Sequence, residues 1–208
     1  MARSVPPVVL RNGVAFEDPL SIVLDFLETW RLDVGDRPPP RSFGEVDLRL
    51  ANRDGARISA AEIAAVLERR DRIERALRSI ESDSSLVGAD SKVPWQPLKQ
   101  LFDGFADIRG VGLSKMTKAL HRKRPALIPM LDSVVQKYLA DDDPGKQATF
   151  AERGIALVSS YKRDLDSNRA ALDALRRELG RCGHVLTEVR IVDLLIWANQ
   201  VSPPERPV

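Results

Sequence analysis

The sequence predicts an all-α protein. Three observations carry that expectation: apolar residues recur at helical spacing in successive segments, capping residues head several of them, and strand-type alternation is almost absent. With 208 residues, 43% of them hydrophobic and 30% charged, the chain can bury one sizeable core and is neither disordered nor fibrous in composition.

The elements follow in order. Residues 1–40 read as an N-terminal arm and one helix. Asp18 is placed to cap, Pro19 suits the first helical position, and Leu20, Val23, Leu24, Leu27 and Trp30 share a face. Pro38, Pro39 and Pro40 then form a stiff connection to a main helical domain over 41–202. Residues 44–51 suit a short helix or a strand, and 52–55 a turn. Ser59 and Glu62 form a capping-box pattern ahead of Ile63, Leu67, Ile73, Leu77 and Ile80, which predicts one long helix to about Ser79. The polar, Ser-rich stretch 81–91 is expected to be a mobile loop.

After Trp95 and Pro97, the residues Leu98, Leu101, Phe102 and Phe105 predict a helix ending before Ile108. Beyond Pro125 and Pro129, Asp132 is placed to cap a short helix over 133–139. Further helices are expected over 148–162, over 168–179 with Gly180 and Gly183 closing it, and over 188–199. A Pro-rich tail follows, 203–208. There is no repeat of solenoid period and no low-complexity tract.

Several function classes are excluded or disfavoured at this level. No stretch approaches the roughly 18 apolar residues of a membrane span, and the first residues lack the apolar run of a secretory signal, so no membrane partner and a cytoplasmic location are expected. The single cysteine, Cys182, excludes a disulfide framework, a Cys-rich zinc site and a four-cysteine iron–sulfur cluster. Cys182 and His184, with only His121 besides, are too few for a standard structural zinc site. Ser159 and Lys162 spell Ser-x-x-Lys, but the companion motifs are missing. No cofactor is implied.

The formal net charge is +2, yet it is unevenly placed. Arg109, Lys115, Lys118, Arg122, Lys123 and Arg124 fall in a 16-residue stretch that holds no acidic residue, so the rest of the chain is net acidic. Such a stretch suits a polyanion, or else a solvated helix face. Within it, Gly110 and Gly112 lie where one predicted helix ends and the next begins, so they form a tight hairpin. Glycine there permits positive φ and close backbone approach. The amides at the start of the following helix make an anion site fit for a phosphate, which Lys115 and Lys118 would reinforce. A dinucleotide fingerprint or a Walker A loop is ruled out by the missing strand, third glycine and Gly-Lys-Ser/Thr.

The hairpin Ile108-Arg109-Gly110-Val111-Gly112 is followed, 22 residues after Gly110, by Asp132 in the run Leu127-Ile128-Pro129-Met130-Leu131-Asp132-Ser133. This arrangement resembles the helix-hairpin-helix DNA glycosylase superfamily over about residues 95–139. More narrowly, Ser114-Lys115, Arg122-Lys123-Arg124-Pro125 and Pro129-x-x-Asp132-Ser133 are similar to an uncharacterised bacterial family of such domains.

The resemblance implies a glycosylase-like helical bundle acting on double-stranded DNA. Gly110, Gly112, Ser114, Lys115, Lys118, Arg122, Lys123 and Arg124 would hold the strand, and Asp132 would stabilise the sugar cation as a flipped base departs. It also implies a monovalent cation on the carbonyls of Ala106, Ile108 and Val111. Bifunctional members carry a nucleophilic lysine where this chain has Ser114. The reaction expected from the resemblance is therefore monofunctional hydrolysis, with water attacking the sugar.

General chemistry is compatible with that role. Breaking an N-glycosidic bond builds positive charge on the sugar, which a carboxylate in a dry pocket stabilises, and the base must first be extruded from the duplex. Trp95, Phe102, Phe105, Tyr138 and Trp197 are candidate stacking residues, though residues of this kind are more often core positions. Arg190, Asp193 and Trp197 share one side of the last helix and suggest a buried ion pair beside an indole. For Asp132 the plain alternative is an N-cap. The alternative for the whole is a non-catalytic helix-hairpin-helix DNA-binding module.

Overall fold

A computed structural model describes residues 5–30 and 41–200. The proline run at 38–40 and the C-terminal tail lie outside the described residues. The architecture is all-α, with one two-stranded hairpin at the N-terminal end.

That hairpin pairs β1 (Val8–Val9) with β2 (Ala15–Phe16), with Val8 opposite Phe16. The side-chain amide of Asn168 clamps it from outside. Its Oδ1 accepts from the Val9 amide at 2.8 Å and its Nδ2 donates to the Val9 carbonyl at 2.8 Å, as a neighbouring strand would. Val8, Leu10 and Phe16 are buried in the core that also takes Val23 and Leu27 from α1 (Pro19–Trp30). The arm is therefore packed against the helical body.

The undecided segment is helical, α2 (Glu45–Arg53), because Asp47 reaches back to accept from the Gly44 amide at 2.8 Å. The long helix expected to Ser79 is two helices, α3 (Ala60–Leu67) and α4 (Arg70–Arg78). The break falls at Arg69, with φ −102° and ψ 9°, where the Arg69 guanidinium donates to the Ala106 carbonyl. Val66 and Ile73 on either side of it are fully buried, while Ile63 and Leu67 are only partly so. The Ser59 and Glu62 capping box forms as predicted.

The stretch 81–91 is not a free loop. Leu86 is fully buried, its amide donates to the Ala126 carbonyl at 2.9 Å, and Lys162 Nζ donates to the Gly88 carbonyl at 2.8 Å. Polar composition there reflects solvent on one side only, while a single leucine and two long-range bonds anchor the other.

Next come α5 (Trp95–Asp103), α6 (Leu113–His121) and α7 (Ser133–Tyr138), then two short 3-10 turns and α8 (Phe150–Ser167). Helix α8 runs five residues beyond the expected end and starts from a Thr149 and Glu152 capping box. It lies against α5 closely enough that a Cβ on Gly154 would stand 2.7 Å from the Phe102 ring. Helices α9 (Arg169–Arg181) and α10 (Glu188–Gln200) complete the chain. Six apolar residues of α10, from Val189 to Ile196, are buried because α1, α7, α8 and α9 surround it. Among the described residues no helix is long and apolar enough to cross a membrane.

Candidate active site

The loop between α6 and α7 is tied to α6 itself. Thr117 Oγ1 accepts from the Leu131 amide at 2.9 Å while donating to the Leu113 carbonyl at 2.8 Å. That tie delivers Asp132 to the head of α7, beside the helix that follows the glycine hairpin. Asp132 Oδ1 accepts from the amides of Val134 and Val135, both at 3.0 Å, so the residue is an N-cap. Its second oxygen, Oδ2, accepts from the indole nitrogen of Trp197 at 3.0 Å. The carboxylate thus spans α7 and α10 and is 5% exposed.

A cavity of about 740 Å³ opens against that carboxylate. Asp132, Asp193, Arg190 and Trp197 form one wall, and Ser114 and Lys118 from α6 form another. Phe26 adds an aromatic edge from α1. The rim is the end of α2 and the turn after it, which contribute Arg53 and Arg57, both exposed. This turn is held in shape by Asn52, which bonds both the amide and the carbonyl of Ile58 at 2.6 and 2.9 Å. Arg57 adopts the left-handed conformation, φ 55°, which a side chain occupies at some cost.

Asp193 is the most perturbed group in the cavity. Burial pushes its carboxyl up to about 7; the nearby Arg190 opposes that shift and the charge of Asp132 adds to it. The expected ion pair with Arg190 does not form: no basic nitrogen among the described residues lies within 4.0 Å of Asp193, and Arg190 Nη1 instead lies 3.6 Å from the Met130 sulfur. Asp193 Oδ1 is 3.0 Å from the Tyr161 hydroxyl and Oδ2 is 3.4 Å from the Met130 amide.

The basic stretch is mostly turned inward, which corrects the expectation that it grips a strand. Lys123 is 2% exposed and pairs with Asp47 at 2.7 Å, joining the end of α6 to α2. Arg124 is 1% exposed and donates to the Leu77 and Ile80 carbonyls, where the α4 dipole is negative. Neither can reach an external phosphate. Arg122 pairs with Asp54 through two nitrogens at 3.1 and 3.2 Å, and Lys118 Nζ donates to the Asp54 carbonyl at 2.8 Å. Lys115 meets both oxygens of Glu62 at 2.7 and 2.8 Å, and that contact holds the Glu62 carboxyl below the usual range. Arg109 is exposed.

The hairpin itself is present. Gly110 has φ +82°, a conformation that favours glycine, and a Cβ there would push aside the carboxylate end of Glu62. Gly110 and Glu62 face a separate, shallower depression rather than the Asp132 cavity. Gly112 precedes α6 in extended conformation, and φ is positive at Asp107 as well.

The monovalent cation implied by the resemblance does not fit. The Ala106 carbonyl accepts from the Arg69 guanidinium, which already supplies the positive charge at that position, and the Ile108 carbonyl accepts from the Val111 amide. Among the described residues no group of His, Cys, Asp or Glu side chains could hold a metal ion.

Of the candidate stacking residues, Phe102 and Phe105 are core, Trp95 donates to Asp90, Tyr138 packs on Arg11, and Trp197 alone of the five lines the cavity. Sequence reasoning missed Arg53 and Arg57, at the end of α2 and in the turn after it, where no motif marks them. It undervalued Asp193, whose one available signal was an acidic residue on the otherwise apolar face of α10.

The chain is thus an all-helical protein with a cavity that combines three carboxyl groups, several cations and an indole. Residues 52–200 match the model of a family of unknown function, DUF6308, and the chain belongs to that family. No curated protein and no solved structure matches it.

Proposed function

We propose that the protein is a helix-hairpin-helix DNA glycosylase of the monofunctional type, hydrolysing the N-glycosidic bond of a damaged, mispaired or modified base flipped out of duplex DNA. The observation that carries this reading is that Asp132, from the head of α7, and Ser114 and Lys118, from the helix after the glycine hairpin, line one cavity. Its volume of about 740 Å³ falls in the range of small-molecule sites, roughly 300–1,000 Å³. Trp197 and Phe26 add aromatic rings to its lining, and an ionised Asp132 would stabilise positive charge on a sugar bound there. Arg53, Arg57 and Arg109, exposed at the rim and on the hairpin, take over the phosphate contacts that the inward-turned cations do not make.

A specific observation favours a second reading, a non-catalytic DNA-binding module. Both oxygens of Asp132 already accept N–H donors, as a purely structural cap would.

One experiment separates the two. Duplexes carrying uracil, alkylated, oxidised and hypermodified bases are incubated with the protein and probed for alkali-labile sites. Asparagine caps a helix as well as aspartate does, so Asp132→Asn keeps the α7 cap and removes the charge, at the cost of the acceptor for the Trp197 indole N–H. Base release that disappears in Asp132→Asn supports the glycosylase. DNA binding with no release from the whole panel supports the module.

A further inference from the structure

Tyr161 Oη stands 2.7 Å from the Val189 carbonyl oxygen and 3.0 Å from Asp193 Oδ1. A phenol carries one hydrogen and a carbonyl oxygen carries none. Two oxygens 2.7 Å apart with no hydrogen between them repel, so the hydroxyl hydrogen belongs to the Val189 contact. The Asp193 contact is then a hydrogen bond only if Asp193 supplies the proton. Asp132 is the opposite case, since three N–H donors converge on its two oxygens, which suits an acceptor-only carboxylate. Both side chains line the same cavity.

We propose that Asp193 stands in the cavity as a neutral carboxylic acid and is the proton donor to the departing base, with Asp132 as its ionised partner. This rests on the glycosylase reading and extends it to the substrate class. As the C1′–N bond breaks, its electron pair leaves on the base, and a ring nitrogen of the base takes the Asp193 proton, which turns from Tyr161 toward the cavity. Water forms the new C1′–O bond, and the proton it sheds passes by way of Asp132 to restore Asp193. The products are the free base and an abasic sugar. An uncharged base needs such an acid to leave; a base already made cationic by alkylation does not. The site therefore selects uncharged bases as the ones whose release depends on Asp193.

The groups facing Asp193 are Tyr161 from α8, Asp132 at the head of α7 and Arg190 one turn away on α10. Lys118 stands across the cavity on α6, and Arg53, Arg57 and Asp54 at the rim. Burial and the neighbouring Asp132 charge both favour the neutral form, and its shift to about 7 accords with the geometry. A carboxyl raised in the folded state above its ordinary value stabilises the protein fully at low pH. That contribution is lost as pH climbs through about 4 to about 7.

The test pairs the native protein with Asp193→Asn, whose amide can donate to Tyr161 as the neutral acid would. Thermal unfolding is followed from pH 5 to pH 8. Native Tm is expected to fall by several degrees relative to Asp193→Asn across that span, with the variant the more stable at pH 8. Parallel profiles overturn the protonated carboxyl. Base release is measured on duplexes holding hypoxanthine, an uncharged base, and N7-methylguanine, a cationic one. The variant is expected to release hypoxanthine about 100-fold more slowly while release of N7-methylguanine is little changed. Equal loss on both bases, or loss on neither, overturns the donor role. If the native protein releases nothing, the glycosylase reading fails and the donor role with it. The unfolding profile then still decides whether the proton is there.

Discussion

Two buried polar clusters in this molecule are built from the same parts, an aspartate pair beside a tyrosine, and differ in one component. At the N-terminal hairpin, Arg11 bonds Asp164 through Nε at 2.9 and 3.2 Å and Asp142 through Nη1 at 2.5 Å. Its side chain also meets the Ser160 hydroxyl and carbonyl and stacks on Tyr138. At the cavity, Asp132 and Asp193 stand near Tyr161 and Trp197 with no salt bridge among the described residues. In the first cluster hydrogen bonds from Ser160 and Arg163 hold Asp142 down to about 2, while burial raises Asp164 against the opposing pull of Arg11. In the second, burial pushes Asp193 up to about 7. A guanidinium that saturates its carboxylates makes a latch. Carboxyl groups left without one, beside open space, keep a proton and a charge available for chemistry.

The largest expected effect tests the latch. Arg11→Ala leaves Asp164 buried without its cation and is expected to cost about 3 kcal/mol, read by urea unfolding. Arg190→Ala, at a residue with no salt bridge, is expected to cost under about 1 kcal/mol. Equal losses would break the comparison.

Next in size is activity. Asp132→Asn should lower base release about 100-fold at a cost of about 1–3 kcal/mol for the lost Trp197 bond, whereas Asp142→Asn should lower stability and leave release unchanged. A reversed pattern would move the chemistry to the other cluster.

The pH profiles should then have opposite signs. A carboxyl held low in the folded state contributes stability above its ordinary value and loses it as pH falls. For Asp142, and for Glu74, held at about 2 chiefly by the Phe43 amide, that window runs from about 4 down to about 2. Asp142→Asn should flatten the acid side of the unfolding profile and leave the neutral side intact.

The smallest effects concern the rim. Arg57→Gly relieves a left-handed conformation, so stability should hold or rise slightly, while the salt dependence of DNA binding should weaken by about one phosphate contact. Arg109→Ala should do the same without the gain in stability. An unchanged salt slope in both would remove the rim from the interface.

Much of the helical frame was legible because its signals are local. The Ser59 and Glu62 box, the Asp132 cap and the apolar run of α10 act within one or two turns, and short-range sterics and hydrogen bonds decide them. The break at Arg69 was not legible, because Val66 and Ile73, both buried and seven residues apart, share one face of a continuous helix. The fate of a charged side chain was not legible. Lys123 and Arg124 look like a surface cluster in the sequence, and their burial depends on Asp47 and on the carbonyls ending α4, more than 40 residues away.

The local order of residues therefore determined the all-α class, several of the caps, the glycine hairpin and the presence of a carboxylate at the head of α7. Tertiary structure alone decided which cations face inward, that Arg69 takes the carbonyl a metal ion would need, and that Asp193 shares a cavity with Asp132. The reason is range. Backbone preference is settled over a few bonds, whereas the ionisation and reach of a side chain depend on which distant groups the packed core sets beside it.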